Sequence, residues 1–428
     1  MLTVSKRTII AGAIGNALEM YDYVIWGLFS GYLAKEFLPP QSKLSDIFFL
    51  FLITYILRPI GSLIGGILAD QTGRKKVLTL SIFLMGICTS IVGILPSYQQ
   101  IGVISIFLLL FIRLIQVFAV GSEYISSIAL LIECCDKNRR GYFGSWAAFG
   151  VNAGVLIASL FGALILHLID IKVLPDWGWR FAFILAFITM LIGFWIRNSL
   201  PESLEFITEN ARREKKTFFE ILFDALNVFK SQPFDTIFVF SLVCFGVSTT
   251  ILVFIYAPIY MTTANHIHNT QSLIINSVSL MLLILLIPIF GLISDYLGRA
   301  KTILISSITL LLLGHPYFSL LSTGTFYQVL FDHMLIAIPC ASIFAVTPVL
   351  ITEIFPISVR CSITNLIYSL AACIGGGITP LIAFRLVDYA NYSPGSILMV
   401  LGGINILLLG IYMRRNDKPA PGLVLVNE

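Results

Sequence analysis

Charge is what this sequence has least of. Of 428 residues only 12% are Asp, Glu, Lys or Arg, while 57% are hydrophobic; soluble domains carry about 25% charged residues. That shortage excludes an ordinary soluble globule. The charges present are clustered and leave apolar runs of roughly 18 or more residues, the length of membrane-spanning helices. Chemical signatures are scarce too. There is no G-x4-G-K-[ST] loop, so ATP hydrolysis is not expected, and neither H-E-x-x-H nor G-x-S-x-G occurs. Gly375–Gly377 lies in an apolar run with no following Lys-Ser/Thr, and reads as a close-packing point. The seven cysteines (88, 134, 135, 244, 340, 361, 373) lack metal-ligand spacing and read as small packing residues. His266 and His268 share a short loop without Cys or acidic partners, which reads as solvated loop. No enzyme activity, cofactor, metal or nucleic-acid partner is therefore expected.

What remains is hydrophobic patterning. Twelve spans are expected near 8–34, 45–69, 77–96, 101–133, 141–166, 179–199, 234–260, 271–294, 301–321, 326–352, 358–385 and 393–414. Lys6 and Arg7 precede an apolar stretch as in a signal peptide, but the run continues through Glu19 and Asp22 at full spanning length. A retained first helix is the reading. With alternating helices and a cytoplasmic N-terminus, 20 of the 27 Lys and Arg fall on the inner side. That bias implies an inner-membrane protein with both termini cytoplasmic. The one long polar stretch, 200–233, separates a half at 1–199 from a half at 234–428. Within it Phe218, Phe219, Leu222, Leu226 and Phe229 recur at helical spacing. An amphipathic helix is expected there, lying on the leaflet or packed on the bundle. The fold class is thus all-α: twelve transmembrane helices in two six-helix halves, surrounded by lipid and expected to be monomeric.

The halves echo one another. Gly66, Asp70, Gly73 and Arg74 in GGILADQTGRKK recur 225 residues later as Gly291, Asp295, Gly298 and Arg299 in GLISDYLGRAK. Glu133 precedes Arg140 by seven residues, as Glu353 precedes Arg360. Duplicated halves of this kind are a secondary-transporter architecture. In each loop the first glycine permits close helix approach. The aspartate can pair with a guanidinium or with a neighbouring helix N-terminus. Gly66, Asp70, Gly73, Arg74, Glu133, Arg140, Asp295, Gly298, Arg299, Glu353 and Arg360 are therefore read as a conformational latch, or gate. An ordinary charged turn is the bland alternative, and the in-register repeat weighs against it.

These segments resemble the major facilitator superfamily and, within it, the metabolite:proton symporters. The resemblance is carried by GNALEMYDYVIWG (15–27), LRPIGSLIGG (57–66), the GGILADQTGRKK loop, RLIQVFAVGSEY (113–124) and RRGYFGSW (139–146). WGWRFAF (177–183), LPESLEF (200–206) and EIFPISVRCS (353–362) extend it over nearly the whole chain. Val117 and Ser122 stand where glycines are usual, and Ser369 where an asparagine is usual. The resemblance implies a proton-coupled carrier of proline or betaine, or of citrate, ketoglutarate or shikimate.

Ionisable groups inside a bilayer cost on the order of 2.5–3.5 kcal/mol each even on lenient scales, so they call for a role. Glu19, Asp22, Arg58 and Arg113 fall at comparable depth, and Glu123 lies further along its helix. Glu19, Asp22, Arg113 and Glu123 are the proton-coupling candidates, with Glu19 or Asp22 paired to Arg113. Clamping of helices is the competing role. For the substrate, Asn16, Tyr23 and Trp26 form a stripe with Glu19, and Arg113 and Gln116 form another. Arg58 and Arg113 suit a carboxylate, and Tyr23 and Trp26 suit an ammonium group. Asn152, Tyr256, Asp332, Asn365 and Tyr368 complete the candidate wall. Between 234 and 414 the only acid or base counted well inside a span is Asp332. Coupling is therefore expected in the first half and cavity shaping in the second. The leading reading is an importer of a small polar solute working by alternating access. An exporter of drugs, siderophores or metabolites and a transporter-like receptor stay open.

Overall fold

The computed structural model describes residues 6–40, 57–211, 217–265, 267–390 and 393–416, and among these every regular element is helical. The first half comprises α1 (Lys6–Leu28), α2 (Ser30–Phe37), α3 (Arg58–Thr72), α4 (Arg74–Ile94), α5 (Ile104–Val120), α6 (Glu123–Glu133), α7 (Arg140–Asp170) and α8 (Arg180–Asn198). The connection carries α9 (Leu204–Ala211) and α10 (Phe218–Ser231). The second half holds α11 (Pro233–Thr250), α12 (Ala257–Ala264), α13 (Asn269–Leu297), α14 (Arg299–Thr323), α15 (Phe326–Ile354), α16 (Arg360–Ala390) and α17 (Gly395–Asn416). Ten of the described helical segments are long and apolar enough to cross a membrane. Beside them stand α1, interrupted by Glu19 and Asp22, and α3, whose expected span begins outside the described residues.

Three expected spans are broken, each for a local reason. The run 8–34 divides at Phe29 into α1 and α2. The run 101–133 divides at Gly121–Ser122, where the Ser62 hydroxyl takes the Gly121 carbonyl at 2.7 Å. The run 234–260 winds into a π-turn at Ile251–Tyr256. Pro258 follows it, with no N–H to return to the carbonyl of Phe254 four residues back, so that turn cannot close as an α-helix. The freed Phe254 carbonyl instead accepts from Asn276 Nδ2 at 3.3 Å.

The repeated loops are repeated shapes. Gly73 (φ 108°) and Gly298 (φ 93°) both occupy the left-handed region between two consecutive helices. Only glycine enters that region without steric cost, which is why the third position of each motif is Gly. The halves meet where α7 packs on α13 and α15, and where α3 packs on α16. On the outside, Phe107, Phe111, Leu160, Trp195, Leu285, Leu312 and Leu381 are exposed, an apolar belt fit for lipid. The connection is more structured than a single amphipathic helix. In α10, Thr217 and Glu220 form a reciprocal cap. Ile221 and Ala225 are buried on the bundle, while Phe219 and Phe223 are 68% and 62% exposed.

Candidate functional site: a central cavity and a charged latch

At the end of the bundle that carries the connection, the two halves are joined by ions. Asp70 accepts from the backbone N–H groups of Cys361 (3.2 Å) and Ser362 (2.7 Å), and from the Ser362 hydroxyl at 2.6 Å. These are the first amides of α16, where unsatisfied N–H groups and the helix dipole favour an anion. Asp295 does the same for α7, accepting from Gly141 and Tyr142 N–H at 2.8 Å each. Each motif therefore caps a helix of the opposite half. The motif glycines make room: a Cβ on Gly66 would sit 2.7 Å from the Cys361 carbonyl oxygen, and one on Gly291 2.7 Å from that of Gly141.

Arg74 is fully buried behind Asp70, paired to it at 3.4 Å and to Glu133 at 3.1 Å. It also donates to the Ile357 carbonyl of the other half at 3.0 Å. Glu133 in turn takes Arg360 at 2.7 Å and the Ser203 hydroxyl at 2.5 Å. In the second half Arg299 pairs with Asp295 (3.0 Å) and Glu353 (2.9 Å). The residues that echo one another at a spacing of seven find their ion-pair partners elsewhere. Arg140 turns to Glu205 in α9, and Arg360 crosses to Glu133 and stands 3.5 Å from Glu205, while Glu353 takes Arg299. The cause is the connection, whose acids were not counted as candidates. Glu202 accepts from the N–H groups of Arg74 (3.1 Å) and Lys75 (3.2 Å), and Glu205 supplies the anion for Arg140. Two acids just after a span end, in LPESLEF, were the available signal.

Between the halves lies a cavity of about 220 Å³. Its polar groups come chiefly from the first half: Glu19 on α1, Arg58 on α3, Tyr124 on α6 and Asn152 on α7. The facing wall is Val243, Val247, Phe344 and Ile351, with Thr250, Thr347 and Tyr368 as its polar points. Tyr124 and Tyr368 stand ring to ring across the halves, centroids 5.4 Å apart. Of the candidates, Glu19, Arg58, Asn152 and Tyr368 thus line this cavity.

Others sit behind it or elsewhere. Trp26 is buried against Phe183 and lies under Arg113, whose guanidinium is 4.7 Å from the indole centroid. Arg113 also donates to Gln116 at 3.3 Å, and Gln116 donates to Thr89 at 2.7 Å. The α5 stripe thus faces its neighbours in the first half, where polar groups find partners. Asn16 donates to the Ala147 carbonyl at 3.3 Å, and Asn365 donates across the halves to Ser126 at 3.3 Å. Tyr256 packs with Tyr260, Phe318 and Phe384 behind the π-turn. Asp332 is half-buried away from the cavity. The side chain of Tyr23, His266 and the linker segment 212–216 lie outside the described residues. Glu123 is bound by Arg197 at 2.8 Å, a residue that was not among the candidates.

The charge count also passed over a neutral base in the second half. His333, fully buried, links three helices. Its Nε2 meets Asn276 Oδ1 at 3.2 Å and its Nδ1 meets the Tyr317 hydroxyl at 2.6 Å. Because Asn276 gives its amide N–H to Phe254, its oxygen must accept, so His333 carries its proton on Nε2 and accepts from Tyr317. The set holds the π-turn whose first residue, Ile251, lines the cavity. Asn276→Ala leaves two buried groups unpaired, at about 1–3 kcal/mol each. A clear drop in the melting temperature of purified protein is expected; an unchanged melt would count against this account.

Two halves joined by paired ion clusters at one end, with a cavity carrying an acid and a base between them, fit the architecture of a membrane carrier. Comparison with known proteins agrees. The profile of the Major Facilitator Superfamily matches residues 12–267 and 238–426, and the chain belongs to that superfamily. It is a multi-pass membrane transport protein with the superfamily's twelve-helix fold. It is 29% identical to the glycine betaine/proline/ectoine/pipecolic acid transporter OusA of Dickeya dadantii (strain 3937), over 97% of this chain and 85% of that one. It is 27% identical to the proline/betaine transporter of Escherichia coli (strain K12), with the same coverages. The proton:xylose symporter XylE, bound to 6-bromo-6-deoxy-D-glucose, shares the fold at TM-score 0.74 and 18% identity, each chain covered to 95%. A bacterial homologue of the iron transporter ferroportin, in an outward-facing state, aligns at TM-score 0.73 and 13% identity, over 95% of this chain and all of that one.

Proposed function

We propose that this protein imports a small zwitterion of the proline/betaine class, driven by protons, by rocking its halves 1–199 and 234–428 about the connection. The observation that carries the reading is the composition of the cavity. One acid, Glu19, and one base, Arg58, share about 220 Å³ with the Tyr124–Tyr368 pair. Arg58 offers a planar donor fork to a carboxylate. The tyrosine faces and Glu19 offer a seat to a cationic nitrogen. The volume is below the ~300–1,000 Å³ of sites for drug-sized ligands, which weighs against a drug exporter. The named activities of the proline/betaine relatives point the same way. Proton coupling is assigned to Glu19, Asp22, Arg113 and Glu123 in the first half. The excess of Lys and Arg beside the connection supports an orientation with that end, and both termini, on the cytoplasmic side of the inner membrane.

Purified protein should be screened for thermal stabilisation by proline, glycine betaine, citrate, ketoglutarate and shikimate, then assayed in proteoliposomes. The expected result is stabilisation by proline or glycine betaine, with uptake that an inwardly directed proton gradient (acid outside) powers and a protonophore abolishes. Stabilisation by the tricarboxylate alone, or uptake indifferent to the protonophore, would overturn the reading.

A further inference from the structure

Arg197 is the last charged residue of α8, yet it is only 1% exposed and turns back into the bundle. Side chains on a helix lean toward its N-terminus, which here carries the guanidinium away from the connection end. It reaches two helices at once. Nη2 donates to Glu123 Oε1 on α6 at 2.8 Å and to Asn16 Oδ1 on α1 at 3.3 Å. It lies flat on Gly15, where a Cβ would fall 2.5 Å from Nε and 2.8 Å from Cζ. Gly15 is bare because the guanidinium occupies the place of its side chain.

Glu19 is one turn further along α1, at i+4 from Gly15 and i+3 from Asn16, and therefore on the same face. It too is 1% exposed, and it lines the cavity. Both Glu19 Oε2 and Glu123 Oε2 are buried without a hydrogen-bond partner. The charged and titratable groups facing Glu19 are Arg58 from α3, Asp22 from its own helix, Glu123 and Tyr124 from α6, and Arg197 from α8. Those facing Glu123 are Glu19, Asp22 and Arg197.

We infer that Arg197 is a counter-ion shared by Glu19 and Glu123, so that the guanidinium and a transported proton occupy opposite carboxylates. This deepens the proton coupling proposed above and rests on it. In the arrangement seen, Arg197 is on Glu123 and Glu19 is the carboxylate turned to the cavity. When a substrate carboxylate engages Arg58, Glu19 loses that cation, and Arg197 is already committed. A buried carboxylate without a cation takes up a proton instead. If the proton moves to Glu123, the guanidinium is released and swings one helical turn to Glu19. No charge is created or lost in the exchange: one O–H bond breaks at Glu19, one forms at Glu123, and one ion pair changes partner. Arg197 is a positioning residue in this scheme, since it need not touch the substrate.

The test is infrared spectroscopy of the carboxylic acid C=O band in ligand-free protein in lipid, with R58Q built into every protein compared, the wild-type reference included, so that Glu19 lacks Arg58 as it does when a substrate carboxylate engages it, and with E19Q as background. In E123Q the guanidinium is free to serve Glu19, so the Glu19 acid band should shrink relative to wild type at the same pH. In R197Q/E123Q it should exceed that of E123Q, by up to about one carboxyl group. R197K/E123Q, which keeps the charge, should resemble E123Q. Equal bands in E123Q and R197Q/E123Q, or an E123Q band unchanged from wild type, would show that Arg197 serves Glu123 alone and overturn the inference. Should the double variant not fold, the wild-type and E123Q comparison decides by itself. No substrate enters these measurements. Loss of betaine uptake with the bands as expected would therefore sink the substrate reading and leave the shared counter-ion standing.

Discussion

Glu133→Gln is expected to open the connection end of the protein and to stop net transport. Glu133 holds guanidiniums from both halves at close range, Arg74 at 3.1 Å and Arg360 at 2.7 Å, with Ser203 of the connection at 2.5 Å. All three groups are buried where the halves meet. Removing one partner of a buried charge cluster costs roughly 3–5 kcal/mol, because the remaining charges lose compensation in low dielectric. The cost falls on the latched state alone, since separation of the halves lets water reach both arginines. The equilibrium should shift by about a hundredfold to several-thousandfold toward the unlatched state. Cys361 reports this directly. It is fully buried under Asp70 at the start of α16 and becomes reachable only when α3 and α16 part. With Cys134 and Cys135 replaced by serine, a membrane-impermeant maleimide applied at the connection side should spare Cys361 in wild type and label it in E133Q. Equal protection in both proteins would refute the latch. Asp70→Asn should act in the same direction more weakly, since an amide oxygen can still accept from the α16 amides.

Much of this ion cluster was legible in the sequence. The in-register Gly-x3-Asp-x2-Gly-Arg loops implied two halves, and an aspartate near a helix N-terminus was one of two partners considered. Which helix it would cap was not legible, because α3 and α16 lie nearly 300 residues apart in the chain and only the packing of the halves joins them. The pairing of Glu133 with Arg360 was hidden for the same reason. Equal spacing within each half marks the repeat but names no partner, and Arg360 meets Glu133 across the halves while Glu353 takes Arg299. In the cavity, Glu19 and Arg58 could be found by their cost in a bilayer. Arg113 and Gln116 obeyed the same rule yet turned to Trp26 and Thr89, since helical spacing fixes a face but not the neighbour it meets. Arg197 was missed because a place near a span end carries no sign of which way the side chain turns. His333 was missed because a neutral base carries no mark in a charge count; only the hydrogen bonds of Tyr317 and Asn276 show that its place is fixed.

The second large effect is expected at the cavity itself, where Glu19 and Arg58 should fail in different ways. Glu19→Gln keeps the shape and one acceptor of the side chain but cannot take up or release a proton. Exchange of labelled for unlabelled glycine betaine across the membrane needs no net proton movement, so counterflow should persist. Accumulation should not. A pH difference of one unit is worth about 1.4 kcal/mol per proton, which supports roughly tenfold accumulation at one proton per solute. Wild-type proteoliposomes should approach that ratio, and E19Q should equilibrate near unity. Arg58→Gln removes the donor fork instead. A hydrogen bond to a charged group contributes about 1.5–3 kcal/mol, so the apparent affinity should fall by roughly ten- to a hundredfold in counterflow as well as in driven uptake. The pattern across the two variants carries the weight. If E19Q still concentrated its solute against the gradient, the acid lining the cavity would not be the coupling group. If R58Q lost accumulation while its counterflow affinity stayed at the wild-type value, the arginine would serve the proton and not the substrate carboxylate.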